Sequence, residues 1–314
     1  MSFRVKLAKC RGMCAGVERA ITTVELALKN HPDLPVYVLH EVVHNRHVVS
    51  ELRNKGAHFV DNLEDVPENS ILIFSAHGVG FETQNQAAQR KLVVIDATCP
   101  VVLGIHHKMI YASKHGMDAV VIGHAGHQEV IGTIGQYQGD RSRVHIILTP
   151  EDVDGLSIDG SNAFFATQTT LSVDETKFTV DALKTKYPEI RGPRFDDTCK
   201  ATQIRQDAVK ELARQCDLVL IAGSINSSNS TRLKEIALNL GKKAFLIDDF
   251  SQIEKKWLDD VKCVGVSAGA SAPEYIVSDI IKFLKTQGGE DISEIGVEMQ
   301  EKSFPLPKDP SLQT

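Results

Sequence analysis

The sequence predicts an α/β protein with mainly parallel sheets, arranged as three pseudo-symmetric α/β units around a central cavity. Three observations predict it. Short apolar runs are continuous rather than alternating, the mark of parallel strands covered on both faces. Helix-like segments separate these runs almost without a break. A D-x-T-C step from strand to helix occurs twice, about a hundred residues apart.

The candidate strands are VYVLH (36–40), ILIFSA (71–76), LVVIDA (92–97), AVVIGH (119–124), VHIILT (144–149), AFFAT (163–167), LVLIAG (218–223), AFLID (244–248) and CVGVSAG (263–269). ETQNQAAQRK, VDETKFTVDALKTKY, QIRQDAVKELARQ and TRLKEIALNL read as helices. VIDATCP and RFDDTCK each lead from strand to helix, and Cys14, in CRGMCAGVERAITTVELAL, sits at the same kind of step. After each cysteine-started helix a strand ends in a polar loop: HEVVHNR, GHAGHQE and GSINSSNS. A second strand then ends in another: SAHGVG, TQTTLS and SAGASAP. The units are expected at 15–98, 99–198 and 199–285, with an N-terminal strand (1–14) completing the third sheet and an irregular C-terminal tail (286–314).

Bulk properties narrow the function. The 314 residues are 42% hydrophobic and 24% charged with net charge −6, so no basic surface for nucleic acid is indicated. No apolar run could span a bilayer, and the N-terminus lacks the apolar stretch of a signal peptide, which together point to a cytoplasmic protein without a membrane partner. In that reducing compartment the six cysteines are better read as metal ligands or catalytic groups than as disulfides.

Ligands of open α/β sheets bind beyond the carboxyl ends of the strands, and the chemically unusual residues collect there. Cys14, Cys99 and Cys199, one per unit, stand at helix N-termini, where the helix dipole and free amides favour thiolates. Three converging thiolates suit iron–sulfur or zinc, although the C-x-x-C spacing of ferredoxins and zinc ribbons is absent. On a four-iron cluster they would leave one iron open as a Lewis acid. Cys216 and Cys263 flank apolar strands and read as core; Cys10, four residues before Cys14, is an extra thiol.

His44, His77 and His127 stand in Gly- or Asn-flanked loops and can bind phosphate oxygens while exchanging protons. His106 and His107 lie on a helical segment and read as surface or packing residues. The Ser/Asn run containing Ser227, Ser228 and Asn229 supplies more donors than one helix cap needs, and Ser271 stands in the similar SAGASAP loop. No Walker or dinucleotide glycine motif is present, so a small diphosphate fits better than a nucleotide. Glu129, two residues beyond His127, is placed to donate a proton from a partly buried cavity. From these residues alone, a zinc hydrolase acting on a phosphate ester and a non-enzymatic iron–sulfur redox sensor remain open beside a reductase.

Taken in order, RGMCAGVERA, HEVVHNR, FSAHGV, DATCP, IGHAGHQE, TQTTLS, DDTCKATQIRQ, GSINSSNSTRL and SAGASAP resemble the motifs of the IspH/LytB family, the 4-hydroxy-3-methylbut-2-enyl diphosphate reductases, to about residue 285. The resemblance implies an oxidoreductase of the non-mevalonate isoprenoid pathway. It would reductively dehydroxylate an allylic diphosphate to isopentenyl and dimethylallyl diphosphate. Cys14, Cys99 and Cys199 would hold a [4Fe–4S] cluster, seen as [3Fe–4S] after loss of its open iron. His44, His77, His127, Thr169, Thr170, Ser227, Ser228, Asn229 and Ser271 would bind the substrate. Glu129 would supply the proton, with Thr169 and His127 beside it. A flavodoxin or ferredoxin would be the electron donor, and the chain would be a monomer. Three departures stand out: Met13 and Lys200, where an aromatic residue is expected, and the additional Cys10.

Overall fold

The computed structural model describes residues 2–193, 196–297 and 303–308. In chain order its strands and helices are β1 (Phe3–Ala8), α1 (Ala15–Asn30), β2 (Val36–Leu39), α2 (Arg46–Asn54), β3 (Ala57–Val60), β4 (Ile71–Phe74), α3 (Phe81–Gln89), β5 (Val93–Asp96), α4 (Pro100–Lys114), β6 (Asp118–Ile122), α5 (Gln128–Gly135), β7 (Val144–Ile147), α6 (Pro150–Gly155), β8 (Ala163–Thr167), α7 (Val173–Lys186), α8 (Lys200–Gln215), β9 (Leu218–Ala222), α9 (Ser228–Asn239), β10 (Lys243–Ile247), β11 (Cys263–Ala268), α10 (Glu274–Thr286) and β12 (Gly289–Ile295). The chain divides into two compact units, Met1–Glu18 with Val43–Glu51 and Lys200–Ser303, and Arg19–Val42 with Leu52–Cys199 and Phe304–Thr314.

The first unit holds one five-stranded sheet, in the order β10-β9-β11-β1-β12. Every pairing in it is parallel. β9 and β11 inside it are buried on both faces, which their unbroken apolar composition requires. Along β9, Leu218, Leu220 and Ala222 face one core with Val5 and Val266, while Val219 and Ile221 face another with Val209 and Leu212 of α8. Full burial of each such side chain contributes about 1.5–3 kcal/mol, so the apolar run is what fixes β9 at the sheet's interior.

The second unit contains two parallel sheets, β3-β2-β4-β5 and β7-β6-β8. In the latter, Val120, Ile122 and Phe165 share one core, and Ala119, Val121 and Ala166 the other. Helix α5 lies against the 77–80 turn with almost no side chain between. A Cβ on Gly135 would lie 2.6 Å from Gly80 Cα, and one on Gly132 would lie 2.8 Å from Gly78 O. Those glycines permit a backbone-to-backbone approach that no other residue allows.

Two strands differ from the sequence expectation. β3 and the C-terminal β12, where an irregular tail was expected, are both edge strands. β12, GEDISEI, is exposed along most of its length, so it carries no apolar run to betray it. Arg194 and Phe195, ahead of the third cysteine, and most of the final tail lie outside the described residues. Among the described residues no helix is long and apolar enough to cross a membrane.

Candidate active site

In the first unit the candidate residues gather at the N-terminus of α9. Ser227 caps that helix by accepting from the Ser230 amide at 3.3 Å, and Ser230 Oγ donates to Ser227 Oγ at 3.0 Å. The two glycine turns at 223 and 269 close on Ser230, since a Cβ at either would fall within 2.3 Å of its Oγ. Asn229 is 4% exposed, and neither its amide nitrogen nor its oxygen has a protein partner. Leaving a buried amide unsatisfied costs about 1–3 kcal/mol, so a polar partner at Asn229 would be favourable. Ser228 beside it is half-buried. Ser271 Oγ donates to the His44 carbonyl at 2.9 Å, tying the HEVVHNR loop to the SAGASAP turn. The Cys14 amide donates to Ala270 O at 3.0 Å, one residue from Ser271.

In the second unit the geometry is tighter. His127 caps α5, its Nδ1 accepting from the Glu129 amide at 3.1 Å. For a neutral imidazole that bond places the proton on Nε2, which leaves His127 a donor toward an anion. Its ring meets His77 edge-on with centroids 5.8 Å apart. The Gly132 and Gly135 contacts described above set that spacing. Glu129 is 3% exposed, and both its oxygens are held by one residue: Thr169 N donates to Oε1 at 2.6 Å and Thr169 Oγ1 to Oε2 at 2.8 Å. Gln168, which the sequence reading passed over, links Thr170 Oγ1 at 2.9 Å to the His124 amide at 3.1 Å. Its place in TQTTLS was the only signal it gave.

Cys99 caps α4, and its amide donates to Ala76 O at 3.0 Å, beside His77. The Cys199 amide donates to Thr169 O at 3.1 Å. Each cysteine amide is therefore bound to the second polar loop of another repeat: Cys99 to that of the first, Cys199 to that of the second and Cys14 to that of the third. The D-x-T-C steps also fold alike, with Thr98 N on Asp96 Oδ1 at 2.9 Å and Thr198 N on Asp196 Oδ1 at 2.7 Å. These three cysteines are half-buried at helix starts, whereas Cys10, Cys216 and Cys263 are buried. No group of three or more His, Cys, Asp or Glu arranged to hold a metal is found among the described residues. Burial pushes the Cys216 thiol well above its ordinary pKa, as does its hydrogen bond with Cys263, the sulfurs being 3.1 Å apart. His106 is buried against Gly78, its pKa lowered by burial to about 4, and so is a packing residue.

The family model described as "LytB protein" matches residues 5–285. This chain belongs to the LytB family. It is 49% identical over 308 residues to the 4-hydroxy-3-methylbut-2-enyl diphosphate reductase of Cronobacter sakazakii, covering 98% of this chain and 97% of that one. The Aeromonas salmonicida enzyme of the same name is 52% identical, with 92% and 93% covered. Among solved structures, the E-1-hydroxy-2-methyl-but-2-enyl-4-diphosphate reductase from Plasmodium falciparum gives a TM-score of 0.93 at 34% identity, covering 98% of this chain and 96% of that one. A structure of (E)-4-hydroxy-3-methyl-but-2-enyl diphosphate reductase, described as the terminal enzyme of the non-mevalonate pathway, gives 0.62 at 31%, with 91% and 100% covered. LytB membership accounts for the ordered run of Cys, His and Ser/Asn motifs along most of the chain.

Proposed function

We propose that this chain is a 4-hydroxy-3-methylbut-2-enyl diphosphate reductase. It reduces (E)-4-hydroxy-3-methylbut-2-enyl diphosphate with two electrons and two protons, releasing water and a mixture of isopentenyl and dimethylallyl diphosphate. The observation that carries this reading within the LytB family is the buried Glu129 carboxyl gripped by Thr169, next to the His77–His127 pair.

Cys14, Cys99 and Cys199 are the proposed ligands of a [4Fe–4S] cluster. Its chemistry, when bound, is single-electron delivery and Lewis-acid activation of the substrate hydroxyl at an open iron. The donor set suits it: three thiols at helix starts, where thiolates are favoured, with their amides already engaged. Loss of the open iron would leave a [3Fe–4S] form.

The chain's own residues do the rest. His44, His77 and His127, with Ser227, Ser228, Asn229 and Ser271, hold the diphosphate. The unpartnered Asn229 amide is the best-supported member of that set. Thr169 orients the substrate hydroxyl and Glu129, Thr170 lines the same turn, and Glu129 hands over the proton needed to release water. A flavodoxin or ferredoxin is the proposed donor, and the protein is proposed to work as a cytoplasmic monomer. The repeat boundaries 15–98, 99–198 and 199–285, with 1–14 and 286–314 flanking, are proposed on the shared cysteine-amide bonds.

The test is iron, acid-labile sulfide and zinc content of protein purified without oxygen, followed by iron spectroscopy during titration with the allylic diphosphate. About four iron and four sulfide per chain, one iron responding to the ligand, is the expected result. Zinc without sulfide would overturn the cluster and favour a hydrolase.

A further inference from the structure

Buried bases grip the backbone just ahead of the cysteines. Arg205 of α8 is 1% exposed. Its Nε and Nη2 donate to Gly12 O at 3.0 and 2.8 Å, and Nη2 also to Met13 O at 3.0 Å. Gly12 can present that carbonyl because it adopts a left-handed conformation (φ +74°), which few other residues accept. The next residue but one is Cys14. Arg19 of α1 is 8% exposed and donates through Nη1 to Thr98 O at 3.0 Å, one residue before Cys99. Its Nε holds Pro305 O at 2.7 Å. Burial lowers the Arg19 pKa, while Asp96 and Cys99 push it back up. On α4, Lys108 Nζ lies 2.6 Å from Asp197 Oδ1, two residues before Cys199.

The pattern follows chain order. The helix begun at Cys199 grips the peptide ahead of Cys14. The helix begun at Cys14 grips the one ahead of Cys99, and the helix begun at Cys99 reaches the segment ahead of Cys199. A scaffold needing only backbone satisfaction could use water or neutral donors here. Placing cations inside the protein costs several kcal/mol each unless negative charge or good hydrogen bonds offset it.

We propose that Arg205 and Arg19 are positioning residues for the metal centre. They fix the peptides from which Cys14 and Cys99 project, and their positive charge offsets the negative charge of a thiolate-ligated cluster. This rests on the cluster reading above. Lys108, whose side chain is 43% exposed, is the weaker third clasp.

The test compares Arg205→Gln, Arg205→Lys and Arg19→Gln with a control base whose backbone partners are remote in sequence from every cysteine. Lys186 serves, since its Nζ holds the carbonyls of Val153, Asp154 and Leu156 at 2.8 Å each. Protein purified without oxygen is challenged with an iron chelator, its midpoint potential is measured, and the apoprotein is melted. Both Gln variants are expected to hold iron about 10–100-fold less tightly, the usual loss for a group supporting a metal ligand. Whatever cluster they retain should be harder to reduce. Arg205→Lys should keep the potential near wild type while leaking iron, since it retains charge but not the forked grip. Lys186→Met should lower only the melting temperature. Wild-type iron retention and potential in both Gln variants would overturn the proposal, as would destabilised apoprotein with an unmoved potential. Arg205→Lys and Arg19→Gln decide the matter if Arg205→Gln does not fold. A wild-type protein lacking sulfide would remove the cluster reading and this inference together.

Discussion

Replacing His106 should flatten the acid dependence of stability. His106 is 3% exposed, and its Nε2 has no hydrogen-bond partner. Its pKa is held down to about 4 from the ordinary 6.5, chiefly by burial; Asp96 pulls it up and His107 down. The folded protein therefore keeps this imidazole neutral while the unfolded chain binds a proton below about 6.5. Between about 6.5 and 4 the unfolded state binds more protons, so stability falls as the pH falls, and it is independent of this group above that window. At about 1.4 kcal/mol per pH unit the gap gives a loss of about 3 kcal/mol by the low end. Urea unfolding of apoprotein, wild type against His106→Leu, at pH values from about 7.5 to 4.5 isolates the effect. Wild type should lose about 2–3 kcal/mol more than the variant across that range. Parallel losses would show that His106 titrates normally in the folded state and would refute the burial argument.

Four further outcomes are expected. Cys14→Ser, Cys99→Ser and Cys199→Ser each abolish stable iron and sulfide binding, while Cys216→Ala and Cys263→Ala leave both intact by metal analysis. Glu129→Gln keeps fold and ligand binding but lowers turnover about 10²–10⁴-fold in a steady-state assay, the range for a lost proton donor. Asn229→Ala weakens binding of the diphosphate in calorimetry without lowering the melting temperature, because its amide has no protein partner to lose. Gly135→Ala forces its Cβ to within 2.6 Å of Gly80 Cα, and the resulting shift should cost about 1–3 kcal/mol in a thermal melt.

The strands with continuous apolar runs were legible because burial on both faces leaves a periodicity-free hydrophobic stretch, as in β4, β6 and β9. β3 and β12 were not, since edge strands bury little and write no such pattern. Residue type and loop position singled out His77, His127, Glu129 and Thr169, and the second unit holds His77 against His127 and Glu129 against Thr169. Arg205 and Arg19 escaped because a helical Arg normally reads as a solvated face, and Gln168 because a polar residue in a loop reads the same way. Only the fold discloses that their partners are carbonyls or amides up to 193 positions away.

The match to the family stops at residue 285, but the sheet does not. β12 runs beside β1 from Phe3↔Gly289 to Ala8↔Ile295. A chain trimmed where the shared motifs end would strip a whole flank of β1, a strand containing Phe3, Val5 and Leu7, and leave its amides and carbonyls as a template for other chains. β12 closes that flank and presents Glu290 and Asp291 at the new border, where like charges discourage a second copy from docking. A segment beyond the family match thus covers a flank of the sheet that would otherwise be open to other chains.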